Sequence, residues 1–324
     1  MAQAAHRLKS CATVKSLAKI NLDLRVLNRN PNGFHELRTV FQTISLADTI
    51  DIEYEAARRT EITIDDPLAI ADNLVVKAAR AVLDALKIRA RVHFRLRKQI
   101  PMGGGLGGGS SNAAAVLLAL PVLAGKSLAV DRIAAELGSD VPFFLTGGTA
   151  LGIGRGTEVY ELPELKPEPI LVVSAGLHVA TGPAYQALGR GLTADDSSSR
   201  INSFQAFVRV LASEHSAKAA NPFSANDFEA VVFRQYPLLP TIGRKLSKLG
   251  AAGVRMTGSG SAIFGIFGSR VERDRAETVL KGKYLVMPAS LVSREAYRRM
   301  WRRQLHQHIR DDQSLWPLQN RYAK

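Results

Sequence analysis

A glycine-rich run at residues 103–109 constrains this chain more than any other feature, because six of its seven residues are glycine. Residues 92–97 alternate apolar and polar side chains, which predicts a strand, and Pro101 ends it. Residues 110–120 are rich in Ala and Leu and predict a helix that Pro121 stops. Strand, glycine loop and helix follow in the order that a phosphate-binding turn requires. Glycines let backbone N–H groups converge on a phosphate, and a helix N-terminus adds partial positive charge.

The residues alone leave other interpretations of this loop open. It is not a Walker A motif, because no Lys follows the glycines. Gly103, Gly105 and Gly108 satisfy the dinucleotide pattern G-x-G-x-x-G, but any glycine run does so, and that pattern belongs in the first strand–helix unit of a fold. A flexible linker is the third interpretation, although linkers are seldom flanked by a strand and a helix. The pattern therefore favours phosphate binding by residues 101–111.

Two charged residues lie in sequence contexts that suit the transfer of a phosphoryl group. Asp140, in GSDVPFF, is either a base that orients or deprotonates a hydroxyl or the N-cap of a helix, because Pro142 favours a helix start. The two roles are compatible. Lys19, in AKINLDL, lies in a predicted strand over residues 13–27. It is either a solvated edge charge or a cation that stabilises negative charge on a transferred group.

An aromatic–histidine pair, Phe34 and His35, follows the turn-forming segment at residues 28–33. A planar ring beside a His is able to stack on a nucleobase and to hydrogen-bond its edge. Such a pair more often packs within the protein, and that interpretation is the one that the residues alone favour.

The rest of the chain predicts strands and helices in two domains, as 324 residues comfortably allow. Further strands are predicted at residues 39–44, 49–54 and 170–174. Helices are predicted at residues 73–86, with Asp72 as N-cap, and at residues 131–137, ending at Gly138. Three prolines within residues 163–169 mark a domain boundary, and residues 195–199 form a polar linker.

Charge is the compositional outlier, with 43 Lys and Arg against 29 Asp and Glu and a net charge of +14. Such an excess suits nucleic acid, an anionic membrane surface or anionic small substrates, and composition does not choose among them. Cys11 is the only cysteine, which excludes an intramolecular disulfide and a Cys-rich metal site. The N-terminal residues lack a secretion-signal pattern, and the longest apolar run, 113–124, is too short to span a bilayer. We therefore expect a cytoplasmic protein.

Residues 293–324 form a basic extension, with eight Lys and Arg against three acidic residues. Its large apolar residues recur every fourth position and predict one helical stripe, made of Tyr297, Trp301, Leu305 and Ile309. The stripe either docks on the protein's own surface, which we favour, or contacts a membrane or nucleic acid.

These motifs together resemble the GHMP kinases, the superfamily of galactokinase, homoserine kinase and mevalonate kinase. Three segments carry the resemblance in the family's order: AKINL at 18–22, PMGGGLGGGSSNAA at 101–114 and MTGSGSA at 256–262. The resemblance covers about residues 14–295. It implies an α+β two-domain fold, with an N-terminal domain like ribosomal protein S5 domain 2, a ferredoxin-like C-terminal domain and the active site in the cleft between them. The expected limits are residues 1–165, 166–292 and, for the extension, 293–324.

The resemblance implies an ATP-dependent kinase that phosphorylates an alcohol, with Lys19 and Asp140 as the catalytic pair. ATP is expected to contact Pro101, Met102, Gly103, Gly104, Gly105, Leu106, Gly107, Gly108, Gly109, Ser110, Ser111 and Asn73. Ser110 or Ser111 is expected near Mg²⁺, and no resident metal site is implied. The substrate is expected to contact Asn21, Phe34, His35, Thr181 and Tyr185. Phe34 stands where many members carry Tyr, so a phenolic hydrogen bond is lost there.

Segments 28–37 and 137–156 are similar to those of family members whose substrate is a cytidine diphosphate derivative of a small polyol. The resemblance therefore implies ATP and such a substrate as ligands, no nucleic-acid or membrane partner, and a monomer or weak homodimer. Two alternatives stay open: a kinase of the same fold acting on a different alcohol, and a non-catalytic basic protein that binds polyanions through its extension.

Overall fold

The computed structural model describes residues 9–29, 33, 35–189, 197–214, 224–309 and 316–321. The strands are β1 Lys9–Arg29, β2 His35–Ala56, β3 Glu61–Asp65, β4 Ala90–Arg97, β5 Thr149–Gly154, β6 Glu158–Glu161, β7 Pro169–Ser174, β8 Gly253–Met256, β9 Ile263–Ile266 and β10 Leu285–Ser290. The helices are α1 Leu74–Ala85, α2 Gly108–Leu123, α3 Asp131–Leu137, α4 Val141–Thr146, α5 Thr181–Leu188, α6 Ser197–Glu214, α7 Glu229–Gln235, α8 Leu238–Lys248, α9 Arg270–Leu280 and α10 Arg294–Leu305. None of the described helices is long and apolar enough to cross a membrane.

The first half of the chain builds a six-stranded sheet in the order β3–β4–β2–β5–β6, with β1 paired to β2 outside this path. Neighbouring strands are antiparallel except for β3 and β4, which are parallel. The prediction of separate strands at residues 39–44 and 49–54 is wrong, because the chain forms one continuous β2. Residues 47–55 and 37–43 pair with β1 on the two sides of a register shift, and residues 44–46 have no partner in β1, so the predicted gap falls partly on a bulge within β2.

Strand β1 is irregular where it reaches the space between the two halves. Its pairing with β2 shifts register between Leu17 and Lys19 and again between Asn21 and Asp23. Such bulges re-aim side chains and are common next to active sites. The apolar residues of this stretch enter a core shared with the second half, whereas Lys19 and Asn21 line a cleft.

Helix α2 is the central helix of the first half, and its residues from Ser111 to Leu123 are all buried. A helix that is apolar on every side is expected in such an enclosed position. The prediction that Pro121 stops this helix is wrong, because the helix continues to Leu123. Pro121 lies in the last turn, where it removes one backbone hydrogen bond without interrupting the turns before it.

Helix α1 is capped by Asn73 rather than by the predicted Asp72. The Asn73 side-chain oxygen accepts a hydrogen bond from the Val75 backbone nitrogen at 3.0 Å, and its Nδ2 donates to Asp66 at 3.0 Å. Asp72 instead adopts a left-handed φ of 54°. The predicted helices at 73–86 and 131–137 are otherwise confirmed as α1 and α3.

The second half forms an antiparallel four-stranded sheet in the order β10–β7–β9–β8. The two sheets with their helices confirm the expected α+β two-domain fold. The proline-rich segment 163–169 runs between the sheets, as predicted, and the domain limits themselves stay predictions. Residues 195–196 of the predicted polar linker lie outside the described residues, and residues 197–199 begin α6.

The basic extension packs back on the first half of the chain. Helix α10 buries Tyr297, Trp301 and Leu305 in the core of that half, which confirms that the stripe docks on the protein's own surface. Gly147 and Gly148 make the close approach possible. A Cβ at Gly147 would lie 2.3 Å from Cδ1 of the Tyr297 ring, and one at Gly148 would lie 2.7 Å from the backbone nitrogen at the start of α10.

Gly147→Ala tests this docking, with Gly282→Ala as a control for backbone strain alone. Both glycines have a positive φ, 69° and 82°, in which an Ala is strained by about 1–3 kcal/mol, and Gly147 combines it with a ψ of −175°, a region essentially restricted to glycine. A Cβ at Gly282 meets nothing within 4 Å, whereas one at Gly147 collides with the Tyr297 ring. We expect Gly147→Ala to lower the free energy of unfolding by about 1–3 kcal/mol more than the control, measured by urea denaturation. Equal losses would contradict the docking of α10.

Candidate active site

A cleft of about 870 Å³ lies between the two halves of the chain. Its walls come from β1, β2, the glycine loop, the turn before α4, helix α5 and the turn that follows β8. It brings together nine of the site residues predicted from the sequence: Lys19, Asn21, His35, Gly105, Gly107, Ser110, Asp140, Thr181 and Tyr185.

Lys19 and Asp140 form an ion pair at the floor of this cleft, although they are far apart in sequence. The Lys19 Nζ lies 3.3 Å from the Asp140 Oδ2. The Lys19 side chain is 3 % exposed and that of Asp140 is 31 % exposed, so the carboxylate is open to the cleft. Asp140 immediately precedes α4, yet its side chain makes no capping hydrogen bond. Its position therefore fits the predicted reactive role better than the capping role.

Asn21 holds Lys19 in place and links the two halves of the chain. Its Oδ1 accepts hydrogen bonds from the Lys19 Nζ at 2.7 Å and from the Gly258 backbone nitrogen at 2.9 Å. Its Nδ2 donates to the Thr39 hydroxyl at 2.8 Å. The side chain is therefore already engaged within the protein, which favours a positioning role. The predicted contact of Asn21 with a substrate stays a prediction.

The glycine loop adopts a conformation that only glycine accommodates easily. Gly103, Gly105 and Gly107 have φ values of 66°, 73° and 69°. A Cβ at Gly105 would lie 2.1 Å from the Thr257 carbonyl oxygen, so the loop touches the turn after β8 without an intervening side chain. Helix α2 begins directly after Gly107. The loop therefore presents its backbone beside a helix N-terminus, as a phosphate site requires.

A second pocket of about 370 Å³ adjoins the loop. Residues 101–110 line it together with Asn73 and Lys98. The sequence analysis missed Lys98, which forms an ion pair with the buried Asp48. Asp48 also accepts hydrogen bonds from two backbone nitrogens of the segment that leads into the loop. The only sign of Lys98 in the sequence was its place between the predicted strand, which ends at residue 97, and Pro101.

The two serines that follow the glycines face different surroundings. Ser110 lines both the cleft and the smaller pocket. Ser111 is buried, and its hydroxyl donates to the Leu17 carbonyl oxygen at 2.6 Å. The geometry therefore favours Ser110 as the ligand-facing residue and gives Ser111 the role of joining α2 to β1.

His35 and Tyr185 stack on each other in the wall of the cleft. Their ring centroids lie 4.9 Å apart with 20° between the planes, which leaves no room for a third ring between them. Burial, and to a smaller extent the charge of Asp140, raises the pKa of Tyr185 to about 12. Thr181 is the first residue of α5, and its hydroxyl forms a hydrogen bond with the Ser259 hydroxyl at 3.0 Å. Phe34 lies outside the described residues.

Two arginines that the sequence analysis did not select also line the cleft, Arg29 and Arg155. The Arg29 Nε donates to the Gly33 carbonyl oxygen at 3.0 Å. Arg155 lies between Gly154 and Gly156, both with positive φ. Together with Lys19 they make the cleft cationic, and cationic clefts attract phosphate-bearing ligands. The glycine–arginine–glycine turn was the only local signal for Arg155.

Comparison with known proteins places these features in a family. The family pattern described as "GHMP kinases N terminal domain" matches residues 73–148, and "GHMP kinases C terminal" matches residues 210–285. The first match contains the glycine loop and Asp140. The second contains the glycine turn that contacts the loop.

Curated relatives and solved structures agree with these matches. A 4-diphosphocytidyl-2-C-methyl-D-erythritol kinase from Solibacter usitatus is 51 % identical over 96 % of this chain and 98 % of its own. One from Gloeobacter violaceus is 37 % identical over 83 % of this chain and 90 % of its own. The crystal structure of a 4-(cytidine 5'-diphospho)-2C-methyl-D-erythritol kinase, 34 % identical, covers 86 % of this chain and 98 % of its own with a TM-score of 0.72. Homoserine kinase from Cytophaga hutchinsonii, 15 % identical with a TM-score of 0.67 over 90 % of this chain and 97 % of its own, shares the fold. The chain thus belongs to the 4-diphosphocytidyl-2-C-methyl-D-erythritol kinase family of the GHMP kinases.

Proposed function

We propose that this protein transfers the γ-phosphoryl group of ATP to the 2-hydroxyl of 4-diphosphocytidyl-2-C-methyl-D-erythritol, a step of the non-mevalonate pathway to isoprenoid precursors. The observation that carries the proposal is the Lys19–Asp140 pair, 3.3 Å apart in a cleft that a phosphate-type loop and an aromatic–histidine pair also line. The names of the relatives support the choice of substrate.

Asp140 is the group that acts on the substrate hydroxyl. Its exposed carboxylate accepts the hydroxyl proton as the substrate oxygen forms a bond to the γ-phosphorus and the bond from that phosphorus to the β-phosphate oxygen breaks, which releases ADP. The buried Lys19 ammonium, fixed by Asn21, stabilises negative charge on the transferred group. Positioning and charge neutralisation supply most of the catalysis in reactions of this type.

The loop residues 102–110 bind the ATP phosphates through their backbone N–H groups, Pro101 borders them, and the smaller pocket beside Asn73 takes the adenosine end. Lys98 adds a positive charge at the edge of this pocket. Among the described residues no group of three or more His, Cys, Asp or Glu side chains is arranged to hold a metal ion. This fits Mg²⁺, which is usually held by one or two protein oxygens together with substrate phosphates. Ser110 offers such an oxygen in the cleft.

The part of the cleft that His35 and Tyr185 line takes the cytidine diphosphate part of the substrate. Because the His35 and Tyr185 rings are in contact, the base meets the edge or the open face of His35 rather than the space between the rings. Thr181 borders this region, and the contact of the base with Phe34 stays a prediction from the sequence. Arg29 and Arg155 supply charge for the diphosphate. The ligands of the protein are thus two polyanions, which suits its net charge of +14.

The remaining expectations stay proposals. We propose a cytoplasmic enzyme that is a monomer or weak homodimer and that has no nucleic-acid or membrane partner. Burial of Tyr297, Trp301 and Leu305 removes the apolar face of α10 from contact with a membrane. Binding of polyanions by the basic residues of the extension stays an alternative that an experiment has to test. A kinase of the same fold with another alcohol substrate is the rival that needs an experiment.

The substrate assignment is tested by measuring ADP formation from Mg-ATP with three separate alcohols: 4-diphosphocytidyl-2-C-methyl-D-erythritol, homoserine and mevalonate. We expect turnover with the first alcohol and none above background with the other two. Only the first has a base for the region of His35 and Tyr185 and a diphosphate for Arg29 and Arg155. If homoserine or mevalonate alone is phosphorylated, the substrate assignment is wrong and the assignment as a kinase still holds.

Asp140→Asn tests the catalytic pair, with Asp131→Asn at the exposed start of α3 as the matched control. Loss of the carboxylate removes the proton acceptor, so we expect kcat to fall by about 10²–10⁴-fold while the KM for ATP changes little. The control should keep the wild-type kcat. Both constants are measured by steady-state kinetics. A kcat near that of the wild type in Asp140→Asn would show that Asp140 has only a structural role.

His35→Ala tests recognition of the cytidine part, with His93→Ala on β4 as the matched control. We expect the KM for the cytidyl substrate to rise about 10-fold, equivalent to about 1.4 kcal/mol of lost binding, with the KM for ATP unchanged. His93 lies outside the cleft, so its loss should change neither constant. An unchanged KM in His35→Ala would contradict the proposed role of His35.

A further inference from the structure

The helix that follows Asp140 is unusually dependent on the C-terminal extension. Helix α4 has only six residues, Val141–Thr146. The carbonyl oxygens in the last turn of a helix have no partner within it and need donors from elsewhere. Two of these carbonyls, at Phe144 and Leu145, accept side-chain hydrogen bonds from the extension. The Tyr297 hydroxyl donates to the first at 2.6 Å, and the Trp316 Nε1 donates to the second at 2.8 Å.

We propose that the described parts of the extension, residues 293–309 and 316–321, position the catalytic carboxylate, with Tyr297 and Trp316 as positioning residues that cap α4 and so fix Asp140 relative to Lys19. The inference rests on the proposed function, because it assigns these residues a role in that reaction. It gives the basic extension, to which no role was assigned, a part in catalysis without any contact with substrate.

A six-residue helix has little stability of its own, so its surroundings set its position. The Tyr297 side chain is 1 % exposed, and its ring lies against Gly147, the residue that ends α4. A Cβ at that glycine would be 2.3 Å from the ring, so the end of the helix and the ring are closely packed with no space for a side chain between them. Loss of the hydroxyl would leave the buried Phe144 carbonyl without this donor, which favours displacement of the helix end.

The extension is itself anchored independently of α4, which allows it to act as a fixed support. Arg294 donates to the Thr149 carbonyl oxygen at 2.6 Å and forms an ion pair with Glu164 at 2.8 Å. The Gln42 side chain donates to the Val292 carbonyl oxygen at 2.9 Å. These contacts tie the start of the extension to the sheet of the first half, and the sheet also carries Lys19. The same body therefore holds both members of the catalytic pair.

Such a support matters because the pair needs an accurate separation. Lys19 is fixed on β1, whereas Asp140 is the residue before α4, so a shift of α4 changes the 3.3 Å distance between their side chains. A misplacement of about 1 Å at an active site is able to cost about 10²-fold in rate. Loss of one of two capping donors should cost less than that, because the other donor remains.

The extension also offers a control that separates positioning from general stabilisation. Asn320 belongs to the same segment, is buried, and donates through Nδ2 to the Val122 carbonyl oxygen at 2.6 Å. That carbonyl lies at the C-terminal end of α2, far along the helix from the glycine loop. Asn320→Ala therefore removes the same kind of bond, from the extension to a helix end, without touching α4.

The test compares Tyr297→Phe and Trp316→Phe, which keep an aromatic ring and lose the donor, with Asn320→Ala in the full-length chain. We expect each of the three to lower Tm by about 2–4 °C. Only the first two should lower kcat, by about 3- to 30-fold, with the KM values for ATP and for the cytidyl substrate within twofold of wild type. A wild-type kcat in both aromatic variants, or an equal loss in Asn320→Ala, would overturn the proposal.

A second measurement tests whether the effect passes through Asp140. In an Asp140→Asn background, Tyr297→Phe should cause no further loss of kcat, because the group that it positions is no longer a base. A full additional loss would show that Tyr297 acts elsewhere and would overturn the proposal. If the wild-type protein phosphorylates another alcohol, the substrate assignment fails, and the same ratios measured with that alcohol still decide the role of the extension.

Discussion

The side chain of Asn21 is the interaction on which the arrangement of the cleft depends. One amide oxygen accepts from the Lys19 ammonium and from the Gly258 backbone nitrogen, so a single residue fixes the catalytic cation and joins it to the second half of the chain. The bulges on both sides of Asn21 allow the same stretch of β1 to place apolar side chains in the shared core and polar ones in the cleft. Burial of Lys19 is tolerable only because Asn21 and Asp140 compensate for lost hydration.

Local patterns predicted the elements whose structure is decided locally. The strand–loop–helix order around the glycines, helix α3 and the apolar stripe of α10 all follow from periodicity and turn chemistry. The failures involve contacts distant in sequence. Strand β2 continues through residues 45–48, where no strand was predicted, because it pairs with β1 on both sides of a bulge. Helix α2, enclosed by the core, continues past Pro121. The choice of Asn73 over Asp72 as N-cap depends on Asp66, which no local rule includes.

The candidate site was predictable in its parts and not in its geometry. The glycine loop indicated phosphate by its residues alone, whereas the pairing of Lys19 with Asp140 came from family resemblance, since nothing in either segment shows that they meet. Residues that act by holding others gave no signal. The amide of Asn21 and the hydroxyl of Ser111 are engaged inside the protein, and the side chain of Lys98 is paired with a buried acid. Only a three-dimensional structure separates such roles from contact with a ligand.

The contact between Gly105 and the turn after β8 bears on whether the two halves are separable modules. The loop that carries nearly all of the phosphate-binding pattern lies in the first half, but its backbone packs directly on the Thr257 carbonyl and on Gly258 from the second. An isolated first half would contain every glycine of the motif and lack the surface that shapes it. The phosphate-binding loop thus belongs to one half of the chain and is shaped by the other, so the first half on its own lacks part of the site.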